Sequence, residues 1–483
     1  MNKRLPAILA AAALSLTLAA CGGSSDDADQ TTSEPSSSIV EAPETAKPSP
    51  EPTTAPVASE APKWDEATKT MTLTSSEVTG ALEIPGDAAT IKLVGDSTIN
   101  LDAKSDKSAY GIDTEAVLTV VGDGSLTIKV TNTDGNAGGI RAKGVSVELG
   151  DDGVLSIAAE SAYGGALGIF SDQELAIVSG LVDIEVDSDA TETQTVGAYS
   201  GTANVEIGEK AQVIIIAKGN HAGETGGIVT ATGQIVVDGE LTVIATNAGT
   251  SRALTGQAGV RFGETSRSVL DVTSTGGTVI AMSSTDGDIH LSGTIDVKAK
   301  AKAAATAALS VKRITGTRPK ITVEVESTSA TETETEHKGS SGGVSYRPDP
   351  ARGFYSTEGV SLSGGTIDIS VKSQGNAAFG ILTSGPVSLD TLHLTIDASA
   401  KNSEVFGIFS SYKAVDRPSG TGISMNFTAA TISTTGTAVA SQSKMALTRT
   451  GIPQGYVIGV RDGWSTIDGT DGEPAPNVAI LPM

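Results

Sequence analysis

Between about Leu82 and Ser441 the chain repeats one pattern of apolar and polar positions. A Gly-rich turn leads into an alternating run such as Gly124-Ser125-Leu126-Thr127-Ile128-Lys129-Val130. A polar turn follows, then a short Gly-Ile segment (Gly139-Ile140-Arg141-Ala142). A third alternating run closes the unit (Val145-Ser146-Val147-Glu148-Leu149). The Gly-Ile pair marks the period: Gly111, Gly139, Gly168, Gly197 and Gly227 follow one another at steps of 28, 29, 29 and 30 residues. Gly380-Ile381 and Gly407-Ile408 lie 27 apart. Period-two alternation predicts strands, and a fixed period of this length predicts one supersecondary unit stacked on copies of itself. Three short strands per unit with no helix between them predict an all-β chain, a parallel β-helix (β-solenoid) with coils of about 28 residues. A TIM barrel or doubly wound sheet would need helical crossovers. About a dozen coils at roughly 4.8 Å give a rod near 60 Å long.

The pattern is expected to loosen in the middle. Arg252–Ser268 fits it poorly, and Ala299–Ala308 reads as a small-residue strand and turn. Glu324–Ser341, with its alternating Thr-Glu, is expected to be a protruding solvated turn. Tyr346–Tyr355 and Ser411–Thr421 read as insertions projecting from one edge. Trp64–Leu73 is expected to open the body (64–443) as a hairpin, with Trp64 shielding the end of the stack. From Lys444 the repeat fades into a C-terminal cap and tail (444–483).

Two segments precede the repeat. Residues 1–20 read as an export signal: Lys3 and Arg4, an apolar run from Leu5 to Leu18, then small residues. Leu18-Ala19-Ala20-Cys21 resembles the lipobox of bacterial lipoproteins, which implies cleavage before Cys21 and lipidation of its sulfur. Residues 21–63 are rich in Ser, Thr, Pro and Glu, a composition that cannot bury enough apolar surface to fold. As an extended tether this stretch reaches about 130 Å at about 3.1 Å per residue. The expected location is the extracellular face of a membrane, held by lipid alone, on a Gram-positive cell surface.

Composition narrows the chemistry. With 38% hydrophobic residues but only 3% aromatics, the core must be thin and long rather than globular. A formal charge of −24 argues against nucleic acid and anionic lipid as partners. The single cysteine excludes an internal disulfide, and the four histidines (His221, His290, His337, His393) have no partner at zinc-ligand spacing, so no metal or cofactor is expected. A monomer is expected.

The body resembles the right-handed β-helix proteins of Gram-positive surfaces described as carbohydrate-binding-domain-containing. Trp64–Leu73, Ile91-Lys92-Leu93-Val94-Gly95-Asp96-Ser97-Thr98-Ile99 and the recurring Tyr/Phe-Gly-Ile units carry the resemblance, which implies a polysaccharide or surface glycan as partner. Strand alternation then sorts the side chains. With the recurring Ile inward, Tyr110, Phe379 and Phe406 two residues before it should also face in. So should Thr114, Ala142, Ser171, Ser200, Thr230, Thr383 and Ser410 two after. The residue following the Ile should face out, giving one column of Asp113, Arg141, Phe170, Tyr199 and Val229, and later Leu382 and Phe409. Flat aromatics stack on pyranose faces while Arg and Asp bind hydroxyls or a uronate, so Asp113, Arg141, Phe170, Tyr199 and Phe409 are the candidate ligand-binding residues.

An enzymatic alternative rests on Asn132-Thr133-Asp134-Gly135 followed by Gly150-Asp151-Asp152. This resembles polygalacturonases, where an Asn-Thr-Asp motif and a later Asp pair supply acid and base on either side of a water. The resemblance makes Asp134, Asp151 and Asp152 candidate catalytic carboxylates, although the family's Gly-His-Gly and Arg-Ile-Lys motifs are missing at the expected distances. Asp468-Gly469-Thr470-Asp471-Gly472-Glu473 lacks the spacing of a calcium loop and reads as a turn. The leading expectation is a non-catalytic glycan-binding or adhesive module. A structural spacer or protein-binding adhesin comes next, then a polysaccharide hydrolase or lyase.

Overall fold

The computed structural model describes residues 59–190, 193–220, 222–328, 350–375, 377–401, 404–412, 421–452, 454, 456–461 and 464–482. Cys21 and the two segments before residue 59 lie outside them. Among the described residues there is no helix; parallel strands stack into a β-solenoid of about 12 turns.

Each coil contributes one strand to each of three ladders. Ladder I holds the Gly-Ile strands: Ala109–Asp113, Ala137–Ala142, Ala166–Ser171, Gln194–Ser200, Glu224–Thr230 and their successors. Ladder II takes the next short strand, such as Gly144–Leu149, and ladder III the eight-residue strands such as Ser125–Asn132 and Val154–Ser161. The pairing is in register: Val154 to Ser161 lie beside Ser125 to Asn132 residue for residue. Ladder III follows strict alternation, with Leu126, Ile128 and Val130 buried and Lys129 exposed between them.

Ladder I breaks the alternation. Ile112, Ile140 and Ile169 are fully buried, yet a Cβ built on the glycine just before each would also meet the core. On Gly111 it would fall 2.4 Å from Ile128 Cγ2, on Gly139 2.2 Å from Ile157 Cγ2, and on Gly168 2.3 Å from Ile184 Cγ2. Glycine and isoleucine thus face inward in succession, and the ladder register skips the glycine, pairing Gly138 with Tyr110 and then Ile140 with Ile112. This corrects the expectation for Tyr110, Phe379 and Phe406. One position before a second inward residue, they stand on the outer face.

The inward glycine is also a packing device. Each opposes a β-branched residue of ladder III, which fills the space the missing side chain leaves. Where buried Ala253, Ala281 and Ala307 take the glycine's place, the in-register residues of ladder III are Leu270, Val297 and Val323 instead of isoleucine.

Buried hydroxyls line the corners. Ser171, Ser200 and Ser410 face inward as expected, and each Oγ donates to a carbonyl of a corner: Glu174 O (2.8 Å), Ala203 O (2.7 Å) and Gly385 O (2.9 Å). Such bonds tie each bend to its strand, and Glu174 O accepts from Val145 N of the preceding coil as well. Ion pairs between neighbouring coils add register, for example Glu185–Lys218 and Asp238–Arg261.

The middle of the repeat is more regular than its sequence. Arg252–Ser268 contains ordinary strands (Thr250–Gly256, Gly259–Phe262 and the start of Arg267–Ser274), because Ala253-Leu254 does the work of Gly-Ile. Glu324 to Ser327 end a ladder III strand, Lys320–Ser327, and are not part of a projecting turn. Residues 351–355 belong to a ladder I strand, Ala351–Ser356, with Gly353-Phe354 as its inward pair and Phe354 fully buried. Of the expected insertions, 329–341, 346–349 and 413–420 lie outside the described residues. At the start, Lys63–Asp65 pairs antiparallel with Thr70–Thr74, the expected hairpin, and Trp64 packs against the core. At the end, Lys444–Thr448 still pairs in parallel with Thr421–Asn426. The chain then turns antiparallel: Trp464–Asp468 adds to ladder I and Asn477–Pro482 to ladder III.

Candidate functional site

The outer face of ladder I carries two columns of side chains, one rung per coil. The column after the buried isoleucine runs Asp113, Arg141, Phe170, Tyr199, Val229 in unbroken register. Phe170 and Tyr199 are half-buried and stack with ring centroids 5.1 Å apart and planes 5° from parallel. Parallel planes at that separation are offset-stacked. Each ring therefore covers part of its neighbour's face, Arg141 and Val229 hold the rungs on either side, and a ligand has the outer portions of both rings.

Arg141 is already engaged. Its Nε donates to Asp113 Oδ1 at 2.6 Å and its Nη2 to Asp113 Oδ2 at 2.8 Å, a bidentate pair across adjacent coils. The guanidinium also lies over the Tyr110 ring, 5.1 Å from its centroid. Tyr110 tops the second column, and its partner in the next coil is Gly138. A Cβ there would fall 2.2 Å from two ring carbons, so the absent side chain is what lets the tyrosine lie against the sheet. Burial works against the Arg141 charge, but the hydrogen bond and charge of Asp113 outweigh it and raise its pKa further.

Carboxylates edge the patch. Asp172 follows Ser171 at the corner; burial first, then the charge of Glu115, pushes its pKa up, and Arg141 opposes the shift. The Tyr199 hydroxyl is pushed up by burial and then by Asp172. Burial likewise raises Tyr110, with Arg141 pulling it down and Asp113 pushing it up. The result is an aromatic stack beside an internally neutralised Asp–Arg pair, with carboxylates at its margin.

Phe409 is in the same column but not in this patch. It stands seven rungs beyond Tyr199, about 34 Å at about 4.8 Å per rung. It is buried in an apolar cluster with Phe379, Leu382 and Ala440, and Trp464 from the antiparallel cap packs on it at 5.0 Å between centroids. Sequence reasoning missed this cluster because it put Phe379 and Phe406 inside; Phe379 stacks on Phe406 at 5.7 Å on the outer face.

The three candidate catalytic carboxylates are exposed but separated. Asp134 lies in the turn leaving strand Ser125–Asn132, and Asp151 and Asp152 in the turn entering strand Val154–Ser161. Those strands are in-register neighbours, so the carboxyls sit at opposite ends of an eight-residue strand, more than about 20 Å apart at about 3.3 Å per residue. An inverting pair needs roughly 6.5–9.5 Å. Asn132 is fully buried: its Nδ2 donates to Lys107 O (2.8 Å) and Asn136 O (3.0 Å), and its Oδ1 accepts from Ser105 N (3.2 Å). It shapes a corner. His221 lies outside the described residues.

The Asp468–Glu473 segment forms a turn, with Gly469 N donating to Glu473 O. Among the described residues no three of His, Cys, Asp and Glu gather as a metal site would require. A recess of about 570 Å³ opens at the corner between ladders II and III, lined by Glu209, Glu240, Glu264 and Arg267 among others. It holds no aromatic side chain and lies away from the stack, and Arg318 neutralises Glu264. The ladder I patch, which combines flat apolar surface with hydrogen-bonding groups, is the stronger candidate.

No family model matches the chain, and neither curated proteins nor solved structures give a match. The class its own structure defines is a β-solenoid protein.

Proposed function

We propose that the solenoid is the non-catalytic glycan-binding or adhesive module of a cell-surface lipoprotein. The observation that carries the reading is the half-buried Phe170–Tyr199 stack on the outer face of one ladder, beside Asp113–Arg141 and edged by Asp172. Stacked aromatics offer a sugar ring apolar contact at little entropic cost, and the surrounding carboxylates accept hydrogen bonds from its hydroxyls. Because Arg141 gives its bidentate edge to Asp113, the patch favours a neutral, hydroxyl-rich glycan over a uronate. The anchor rests on Cys21 and the lipobox-like residues before it.

The test is retention on a polysaccharide panel, with Phe170→Ala and Tyr199→Ala each expected to weaken binding about tenfold, near 1.4 kcal/mol. Retention that survives both substitutions, or no retention on any neutral glycan, refutes the reading. A spacer or protein-binding adhesin is the second reading. It is favoured by the regularity of ladder I, whose strands stay in parallel register from Asp113 to Ala440.

A further inference from the structure

The two ends of the solenoid are finished differently. At the start, the terminal strand Lys63–Asp65 is three residues long and charged, and a Lys69–Glu66 ion pair flanks it. Short, charged edges are how sheets avoid pairing with other chains. At the other end the outermost strand of ladder I is Val457–Arg461. Among the described residues it pairs only with Trp464–Asp468, so its other edge presents unpaired backbone donors and acceptors. Its side chains do not guard it: Val457 is 56% exposed, Ile458 40% and Val460 77%, and Leu481 of the adjoining ladder III strand is 60% exposed.

We infer that this end is a self-association surface, at which two copies of the chain pair their Val457–Arg461 strands antiparallel about Gly459. A free strand edge selects a β-strand as its occupant, because only another extended backbone satisfies the row of donors and acceptors. Three observations select a second copy. The strand is self-complementary: pairing about Gly459 sets Ile458 opposite Val460 of the second copy and Val460 opposite its Ile458. These two residues share the face of core residue Ile467, which Ile458 opposes within the hairpin, so the pairs extend the core across the junction. Charge permits the approach. The chain carries −24, but residues 444–483 hold Lys444, Arg449 and Arg461 against Asp462, Asp468, Asp471 and Glu473, three cations against four carboxylates, so repulsion between two such ends is weak. Closure follows from the two-fold, since an antiparallel pairing uses up both Val457–Arg461 edges, and the opposite edge strand of ladder I, Leu82–Glu83, is only two residues long and bears a charge. The inference is independent of the glycan reading.

The test is sedimentation equilibrium on the full chain carrying Cys21→Ser, from low-micromolar to near-millimolar concentration. The expected result is a monomer–dimer equilibrium that Val460→Lys abolishes, with the circular dichroism spectrum unchanged because the site is already exposed. The register is tested separately by mixing. Chains with Ile458→Cys should form disulfides with chains carrying Val460→Cys, while neither variant cross-links efficiently to itself, since only directly opposed residues bring Cα atoms within disulfide range. A monomer throughout, a dimer that survives Val460→Lys, or an oligomer that grows past two copies overturns the proposal.

Discussion

Gly139→Ala tests the packing logic on which the coil depends, because two opposing effects act at that site. Gly139 has no left-handed backbone to protect, so removing a glycine should stabilise by about 0.4–1 kcal/mol through the unfolded chain. Against this, the new Cβ would stand 2.2 Å from Ile157 Cγ2 and 2.6 Å from the Gly168 carbonyl oxygen of the next coil. Overpacking a well-filled core costs about 1–3 kcal/mol, and one of these neighbours is backbone that cannot swing aside. The clash should win, leaving a net loss of about 2 kcal/mol. A melting temperature would register this weakly, since a large cooperative body shifts by only a few degrees for such a loss. Native-state hydrogen exchange is the sharper assay. The amides of Ile140 and Ile169 should exchange roughly thirtyfold faster, while those near Ile381 hold their wild-type rates. Ile157→Ala should cost less when combined with Gly139→Ala than alone, a coupling of about 1–2 kcal/mol. Unchanged or slower exchange at Ile140, or additive effects, would refute the claim that glycine and isoleucine share one volume.

Asn132→Ala should destabilise by about 3 kcal/mol in denaturant titration, because it strips three hydrogen bonds from a buried corner. Asp151→Asn should leave stability within about 0.5 kcal/mol, as expected of an exposed turn residue. The acid-base reading would instead make Asp151 indispensable to sugar release. Arg141→Ala frees the Asp113 carboxylate and removes a cation from over Tyr110, and should weaken glycan retention less than Phe170→Ala does. Asp172, Asp183 and Asp187 all have pKa values raised by burial above the ordinary 3.8. Such groups hold their protons more tightly folded than unfolded. Stability therefore falls as pH rises from 3.8 through the raised values, and the loss persists at neutral pH. Asp183→Asn should accordingly raise the melting temperature at pH 7 and have little effect below about pH 4; equal effects at both would count against the assignment.

The period was legible in the chain because Gly-Ile recurs at nearly constant spacing, and it predicted both the solenoid and the outward column from Asp113 to Val229. The failures share one cause. Period-two alternation assumes that each residue turns the chain over, and in ladder I the glycine does not. Once Gly111 and Ile112 both face inward, Tyr110 must face out, and the same step moves Phe379 and Phe406 to the outer face of the ladder, where Phe379 is buried in the aromatic cluster. The apparent irregularity of Arg252–Ser268 has the same source. Ala281 with Val297 keeps the carbon count of Gly139 with Ile157, and Ala253 meets a Leu270 that has no second branch at Cβ, so the core stays filled while the Gly-Ile signature is erased. Gly353-Phe354 hid in an expected insertion for a related reason, a ring standing where isoleucine was awaited.

That rule of volume has a consequence for where binding chemistry can evolve on this chain. The inward glycines are committed: a methyl added at Gly139 or Gly168 meets an isoleucine and a backbone oxygen within 2.6 Å, and the buried corner residues hydrogen-bond the carbonyls of the bends. The outward column from Asp113 to Thr255 carries no such obligation. Neighbouring rungs hold an ion pair at Asp113–Arg141, an aromatic stack at Phe170–Tyr199, and aliphatic and hydroxyl side chains at Val229 and Thr255, all on the same backbone register. A ligand that spans several rungs therefore meets a surface whose spacing is fixed by the ladder and whose chemistry is set rung by rung. Moving the Phe170–Tyr199 pair one coil onward, to Tyr199 and Val229→Phe with Phe170→Val, should leave the fold intact and carry glycan retention with it. Loss of retention in that shifted variant would show that Arg141, Asp113 and Asp172 contribute to the site as more than neighbours of the stack.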